Sequence, residues 1–443
     1  MMDARIERFR RILDSRNPSK FQYALLLLIA LLLLSDGYDM QAIGYVAPAL
    51  VDAWGVERPA FAPIFSMGLF GVMIGAMTMT PLADRIGGKR VLLGCTGVYG
   101  VLTLATALVR DVDALLLLRF ATGIFLGGAM PNAIALVSEY APTKMRALMV
   151  TIAVCGFSIG GAAGGVVATT MIGAFGWQAV FVVGGAVPLL ILPLLILYLP
   201  ESLPRLLSGK ADARALKVLE KIAPGWTPQV DTDAGADAAA SAPHRAAPVI
   251  GLFQNGLAPA TSLIWVVYFS NLLILFTLSN WLPSIITLDG LPLQTANLAT
   301  TFYQLGGTFG ALLIAFLCDR FRAHRVLAFT FLGACASVFL IGSASGNPTL
   351  IALTIAAAGF CVVGGQNATN AFVSNFYPSD IRASGIGWAL GIGRLGSILG
   401  PLLVGAAIAA GVETRTLFQF CAVPALVAAA AILLVGRVRP DRH

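Results

Sequence analysis

Twelve membrane-spanning helices in two matching sets of six, an all-α integral membrane architecture, is the fold class this sequence predicts. Three observations predict it. Hydrophobic residues make up 58% of the 443 residues and charged ones only 12%, where a soluble domain carries about 25% charged residues. Apolar windows of bilayer length recur along the whole chain. Two polar loops recur at nearly one spacing in the two halves.

The windows fall near 22–46, 60–82, 91–109, 114–137, 148–172 and 177–199, and after a polar gap near 259–285, 296–317, 325–343, 349–373, 385–410 and 416–436. About twenty apolar residues cross a hydrocarbon core of roughly 30 Å as a helix. The first run is too long for a cleaved signal and no clean small-residue cleavage site follows it, so it is read as the first span. Twelve spans place both termini on one side. Alternate loops counted from the N-terminus hold 24 of the 29 Lys and Arg residues, the opposite loops hold only Arg58, Arg110 and Arg415, and Arg119 and Arg394 lie within spans. The positive-inside rule puts the Lys- and Arg-rich loops, and both termini, in the cytoplasm. The formal net charge of +7 therefore points to a lipid bilayer partner and not to nucleic acid. Cys95, Cys155, Cys318, Cys335, Cys361 and Cys421 are scattered through apolar runs without C-x-x-C spacing, as small packing residues and not as metal ligands or disulfides.

The expected organisation is a cytoplasmic tail at 1–20, a six-helix bundle at 21–200, a cytoplasmic central loop at 201–258, a second six-helix bundle at 259–436 and a tail at 437–443. Within the loop, KADARALKVLEKI (210–222) alternates charge and apolar residues like a surface helix, and AGADAAASAPHRAAP (234–248) is low-complexity. The halves repeat. PLADRIGGKRVLL (81–93) aligns with FLCDRFRAHRVLA (316–328), matching Asp84 to Asp319, Arg85 to Arg320 and Arg90 to Arg325 at an offset of 235. APTKMRA (141–147) aligns with YPSDIRA (377–383), matching Arg146 to Arg382 at an offset of 236. Duplicated membrane units with a site near the midplane between them are a transporter signature.

Inside the first span stands Ser35-Asp36-Gly37-Tyr38-Asp39. Acids at membrane depth are costly and mark a proton or substrate pathway. Residues three apart share one side of a helix, so Asp36 and Asp39 are expected to face one cavity together. Gly37 lets a ligand or a neighbouring helix come close.

These residues resemble the major facilitator superfamily. Asp84-Arg85-Ile86-Gly87-Gly88-Lys89-Arg90 is similar to its loop between helices 2 and 3, with a less regular glycine-to-arginine spacing. Arg119 followed by Gly123, Gly127, Gly128, Pro131 and Asn132 is similar to its proton-coupling helix 4, and Pro200-Glu201-Ser202-Leu203-Pro204-Arg205 resembles its P-E-S-P-R ending of helix 6 with one extra leucine. With the Asp-Gly-Tyr-Asp stretch and Arg394, the set looks like the aromatic acid:proton symporter family. The resemblance implies a fold of two pseudo-symmetric bundles. It also implies a hydroxybenzoate-type aromatic carboxylate carried inward with protons across a bacterial inner membrane, for aromatic compound catabolism.

The residues themselves give a compatible picture. A buried guanidinium needs an anionic partner, which for Arg119 and Arg394 is Asp36, Asp39 or a substrate carboxylate held bidentately. Arg394 replaces Ser158 of the first half at the repeat offset, and that asymmetry favours a substrate role. Asp36, Asp39 and Arg119 are the proton-coupling candidates. Arg394, Tyr38, Asn271, Trp281, Tyr303, Gln304, Gln366, Asn367 and Asn370 are the substrate-binding candidates, since an aromatic acid asks for an arginine, ring faces and a few aimed amides or hydroxyls. Interhelical hydrogen bonding accounts equally well for any one of those amides. Asn280 is another polar tip of the seventh span. Asp84, Arg85, Arg90, Glu139, Arg146, Asp319, Arg320, Asp380 and Arg382 are expected to pair across the two bundles and latch the outward-facing state. Glycines 156, 160, 161, 164 and 165 read as a close-packing face of the fifth span.

Three other readings are weighed. Gly156-Phe157-Ser158-Ile159-Gly160 matches G-x-S-x-G, but it lies in a span with no preceding strand. The histidines, His244, His324 and His443, fall in loops and the tail, and no metal-ligand set or nucleotide fingerprint appears. The chain is therefore expected not to be an enzyme and to need no cofactor. A proton-coupled exporter of drugs or other metabolites is the alternative on the same fold, although the two intramembrane arginines suggest an anion. A sensor would usually carry an extra soluble domain. The carrier is expected to be a monomer.

Overall fold

The computed structural model describes residues 13–14, 18–203, 249–254, 256–344, 347–378 and 381–438. Most of the central loop, together with Arg205, His244, Asp380 and His443, lies outside the described residues, as does the side chain of Asp84.

Twelve long helices occur among the described residues: α1 Lys20–Trp54, α2 Phe61–Ile86, α3 Gly88–Thr106, α4 Val112–Tyr140, α5 Arg146–Phe175, α6 Gln178–Tyr198, α7 Ala258–Leu288, α8 Leu293–Arg320, α9 Ala323–Ile341, α10 Pro348–Phe376, α11 Arg382–Ala409 and α12 Thr414–Val438. Eleven are long and apolar enough to cross a membrane, and α3 is the exception. It is 19 residues long and carries glycines, two basic residues and a polar stripe.

Local chemistry sets the ends. Ser19 and Gln22 form a reciprocal capping box at the start of α1, and Gly55 ends the helix in the left-handed region at φ 63°. Asp111 Oδ1 accepts from Ala114 N at 2.8 Å to open α4. Hydrogen bonds within helices satisfy the backbone, as a lipid environment demands.

In the first half α2 packs on α4, α1 on α5, and α3 on α4 and α6. The second half repeats the plan, with α8 on α10, α7 on α11, and α9 on α10 and α12. The seams repeat as well. Gly71, Gly75, Gly123 and Gly127 bring the α2 and α4 backbones together, while Gly306, Gly310, Gly359 and Gly364 do the same for α8 and α10. Gly156 and Gly160 lie against the α1 backbone at Ala30 and Leu34. The glycine face of α5 is thus a packing face.

The halves meet along α5–α8, α2–α11 and α1–α7. These contacts gather toward the end of the molecule away from the two termini. There Arg58 Nη1, in the connection after α1, donates to Ser284 O at 2.5 Å and to Thr287 Oγ1 at 2.7 Å, both near the end of α7. Gly44 of α1 faces the α7 backbone at Ser279 and Asn280, and Gly165 of α5 faces Thr301 of α8. Closer to mid-depth, Ser66 Oγ donates to Ile398 O at 2.7 Å.

Candidate functional site

Gly37 sits against the α5 backbone at Phe157, so the neighbour it admits is a helix. Asp39 is buried and held by two other helices. Thr103 Oγ1 of α3 donates to Asp39 Oδ1 at 2.7 Å, and Arg119 Nη1 of α4 donates to Asp39 Oδ2 at 3.2 Å. Arg119 Nη2 donates to Thr106 Oγ1 at 3.1 Å, while its Nε has no hydrogen-bond partner. Below the guanidinium lies the Phe181 ring of α6, with 5.1 Å from Cζ to the centroid. Burial of either charge alone would be prohibitive, and breaking such a buried pair costs about 3–5 kcal/mol.

Asp36 stands apart from this pair. Its Oδ1 has no hydrogen-bond partner, and its surroundings are Tyr99 and Cys95 of α3. The Tyr99 hydroxyl shares a 2.7 Å hydrogen bond with Ser35 Oγ. Three residues of helix rotate a side chain by about 300°, leaving roughly 60° between Asp36 and Asp39. At a crowded helix junction that angle separates their neighbours. Beside the pair is a cavity of about 350 Å³ counting its open mouth, bordered by Asp39 and Arg119 but not by Asp36. Contrary to the expectation from spacing, the two acids do not share it. Phe65 and Leu69 of α2 and Asn280 of α7 also line it, so both halves contribute to its wall.

The second half presents a different set. Arg394 is half-buried on α11, its Cζ 5.8 Å from the Phe276 ring centroid. Among the described residues no carboxylate lies within salt-bridge distance of it. Asn271 Nδ2 donates to Gln366 Oε1 at 2.8 Å and to Val362 O at 3.2 Å. Gln366 Nε2 and the Tyr268 hydroxyl both donate to Asn370 Oδ1, at 3.1 and 2.7 Å. This chain ties α7 to α10, with half-buried Asn367 next along.

Other predicted contacts lie elsewhere. The Tyr38 hydroxyl donates to Val180 O at 2.9 Å, so its ring is fixed on α6. Trp281 Nε1 donates to Pro401 O at 3.0 Å, and its ring meets Phe65 edge-on at 5.2 Å. The Tyr303 hydroxyl, Gln304 Nε2 and Gln41 Oε1 are buried without a hydrogen-bond partner.

Of the expected latch residues, Arg85, Arg90, Asp319, Arg320 and Arg382 are exposed. Arg320 lies over its own helix's Phe316 ring at 5.9 Å. Glu139 Oε2 accepts from Leu203 N at 2.7 Å, at the start of the central loop, and Arg382 Nε donates to Tyr377 O at 3.4 Å within the second half. Arg146 is half-buried at the start of α5.

Sequence reasoning missed Thr103 and Thr106. A signal existed: Thr96, Tyr99, Thr103 and Thr106 repeat at three- and four-residue steps, all are buried, and they form one polar stripe on α3.

A family model described as Major Facilitator Superfamily matches residues 29–293 and 264–443. The chain is 38% identical over 430 residues to a gallate transporter of Pseudomonas putida, covering 96% of this chain and 94% of that one. It is 37% identical over 423 residues to a 4-hydroxybenzoate transporter of the same species, covering 95% and 94%. The fold matches that of a bacterial homologue of the human lysosomal transporter Spinster, in an inward-facing and unoccupied conformation. There the TM-score is 0.73 at 18% identity, covering 95% of this chain and 98% of that one. The chain is a multi-pass membrane protein and belongs to the Major Facilitator Superfamily.

Proposed function

We propose that this protein imports an aromatic carboxylate of the hydroxybenzoate type together with a proton, by alternating access of residues 21–200 and 259–436 around a midplane site. The membrane is a bacterial inner membrane with both termini cytoplasmic, an orientation that the distribution of Lys and Arg supports. The observation that carries the reading is Arg394, a guanidinium at mid-span facing an aromatic ring, with no carboxylate in range among the described residues. A planar fork of donors matches a carboxylate bidentately. The gallate and 4-hydroxybenzoate transporters named above supply the substrate class. The Asn271–Gln366–Asn370 chain lies on the same half and offers polar groups for ring hydroxyls.

The proton belongs to the other half. An inside-negative potential opposes entry of an anion by roughly 2.3 kcal/mol per 100 mV, and one accompanying proton cancels that cost. Asp39 is the acceptor, because it borders the cavity and a cation stands ready to replace the proton. In the outward-facing state, Asp84, Arg85, Arg90, Glu139, Arg146, Asp319, Arg320, Asp380 and Arg382 would close the cytoplasmic end.

The test is uptake of labelled 4-hydroxybenzoate by proteoliposomes, with the pH gradient imposed in either direction. Accumulation when the outside is acid supports import with protons. Accumulation driven only by the reverse gradient would make the protein an exporter, and no movement of any aromatic acid would remove the reading.

A further inference from the structure

Two threonines of the polar stripe on α3 follow the usual habit of membrane helices, and the one between them, Thr103, departs from it. Thr96 Oγ1 donates to Leu92 O at 2.7 Å and Thr106 Oγ1 to Leu102 O at 2.9 Å, each to the carbonyl four residues back. Thr103 does not return its proton to its own helix. It donates to Asp39 Oδ1 at 2.7 Å. The two threonines therefore have fixed and opposite polarity toward the ion pair. Thr106, with its proton committed to Leu102, can only accept, and it takes Nη2 of Arg119.

We propose that Thr103 and Thr106 are positioning residues that set the proton affinity of Asp39 from its two sides. The inference rests on the proton role given to Asp39 above. Thr103 supplies a hydrogen bond that favours the ionised carboxylate. Thr106 works in the other direction. By holding Nη2, it leaves Arg119 a single 3.2 Å hydrogen bond to Asp39 in place of a bidentate fork. The result is a carboxylate held by one hydrogen bond from each of two neighbouring helices. When the proton binds Asp39, the Thr103 hydroxyl can turn to the carbonyl four residues back on α3, as its neighbours do. The exchange then needs no helix movement.

Among the described residues, few other charges bear on Asp39. Its own helix brings Asp36 and Tyr38, α3 brings Tyr99, and α4 brings Arg119. Nearby, α5 offers the Phe157 backbone, α6 the Phe181 ring and α7 the neutral Asn280. The remaining cavity wall, from α2 and α4, is uncharged. A substitution at Thr103 or Thr106 thus acts on a small, defined set.

The test compares T103V, T103S and T106V in proteoliposomes. Initial uptake of labelled 4-hydroxybenzoate is followed against external pH at fixed internal pH, each profile scaled to its own maximum. T103V removes a donor from the carboxylate, so the proton binds more readily and the half-maximal pH rises by about one unit, a tenfold change in affinity. T106V frees Nη2 to join the carboxylate, so the half-maximal pH falls. T103S keeps the hydroxyl and the wild-type profile. Shifts of T103V and T106V in the same direction, or no shift in either, would overturn the assignment. Infrared titration of the protonated-carboxyl band that is lost in D39N gives the same readout without substrate, which covers a variant that cannot transport. It also separates the two claims. A wild type without proton-driven uptake removes the proposed function, whereas unshifted infrared titrations remove only the roles of the threonines.

Discussion

Arg58 and Ser284 join the two halves at one end of the molecule, the arginine of the α1–α2 connection donating to a carbonyl in the last turns of α7 at 2.5 Å. The same nitrogen reaches Thr287 Oγ1 at 2.7 Å. A cation at a helix C-terminus also meets the negative end of the helix dipole. The contact closes that end, so Arg58→Ala should loosen it. A cysteine placed at Thr301, in a background without native cysteines, should then react faster with a membrane-impermeant maleimide. An increase of about tenfold corresponds to roughly 1.4 kcal/mol. An unchanged rate would show that Arg58 does not hold the halves together.

Arg394→Lys keeps the charge but loses the planar fork. Affinity for 4-hydroxybenzoate should weaken by about tenfold or more, read by equilibrium binding to purified protein. If binding is unchanged, Arg394 does not grip the carboxylate.

Asp39→Asn should abolish pH-driven accumulation while sparing counterflow, which exchanges substrate without net proton movement. Asp36→Asn is the paired measurement. The same split in Asp36→Asn, with Asp39→Asn still accumulating, would move the proton site one turn along α1. Accumulation in both would mean that neither aspartate carries the proton.

Gly160→Ala should destabilise the protein and Gly94→Ala should not. A Cβ at Gly160 collides with the α1 backbone at Leu34, whereas one at Gly94 meets nothing within 4 Å. Overpacking costs about 1–3 kcal/mol, and thermal unfolding in detergent would report it. Equal midpoints would show that α1 and α5 separate easily.

Much of this was legible in the sequence because charge is conspicuous in an apolar run. The spans, the duplicated loops, Arg119 and Arg394 all stand out for that reason. Which acid Arg119 would take was not legible, because spacing places Asp36 and Asp39 on one side of α1 and only the neighbouring helices divide them. Tyr38 read like any other ring near the site, and its tie to Val180 depends on how α6 docks. Thr103 was hidden by being ordinary: threonines are common in membrane helices, and most of those described here return their proton to their own backbone. Two of the expected latch residues, Asp380 and the side chain of Asp84, lie outside the described residues.

The twin glycine seams bear on how the protein can diversify. At Gly75 and Gly310 an added side chain would strike the main chain of the facing helix. A side-chain clash can be relieved by shrinking the opposing residue, but a main-chain clash has no such remedy. These positions are closed to gradual exchange. The tips of Arg394, Asn271 and Asn280 meet rings, amides or single carbonyls by hydrogen bond or ring contact and not by main-chain collision, and they can be traded one at a time. Descendants of such a chain would acquire new cargoes by rewriting those tips upon a frame that does not drift.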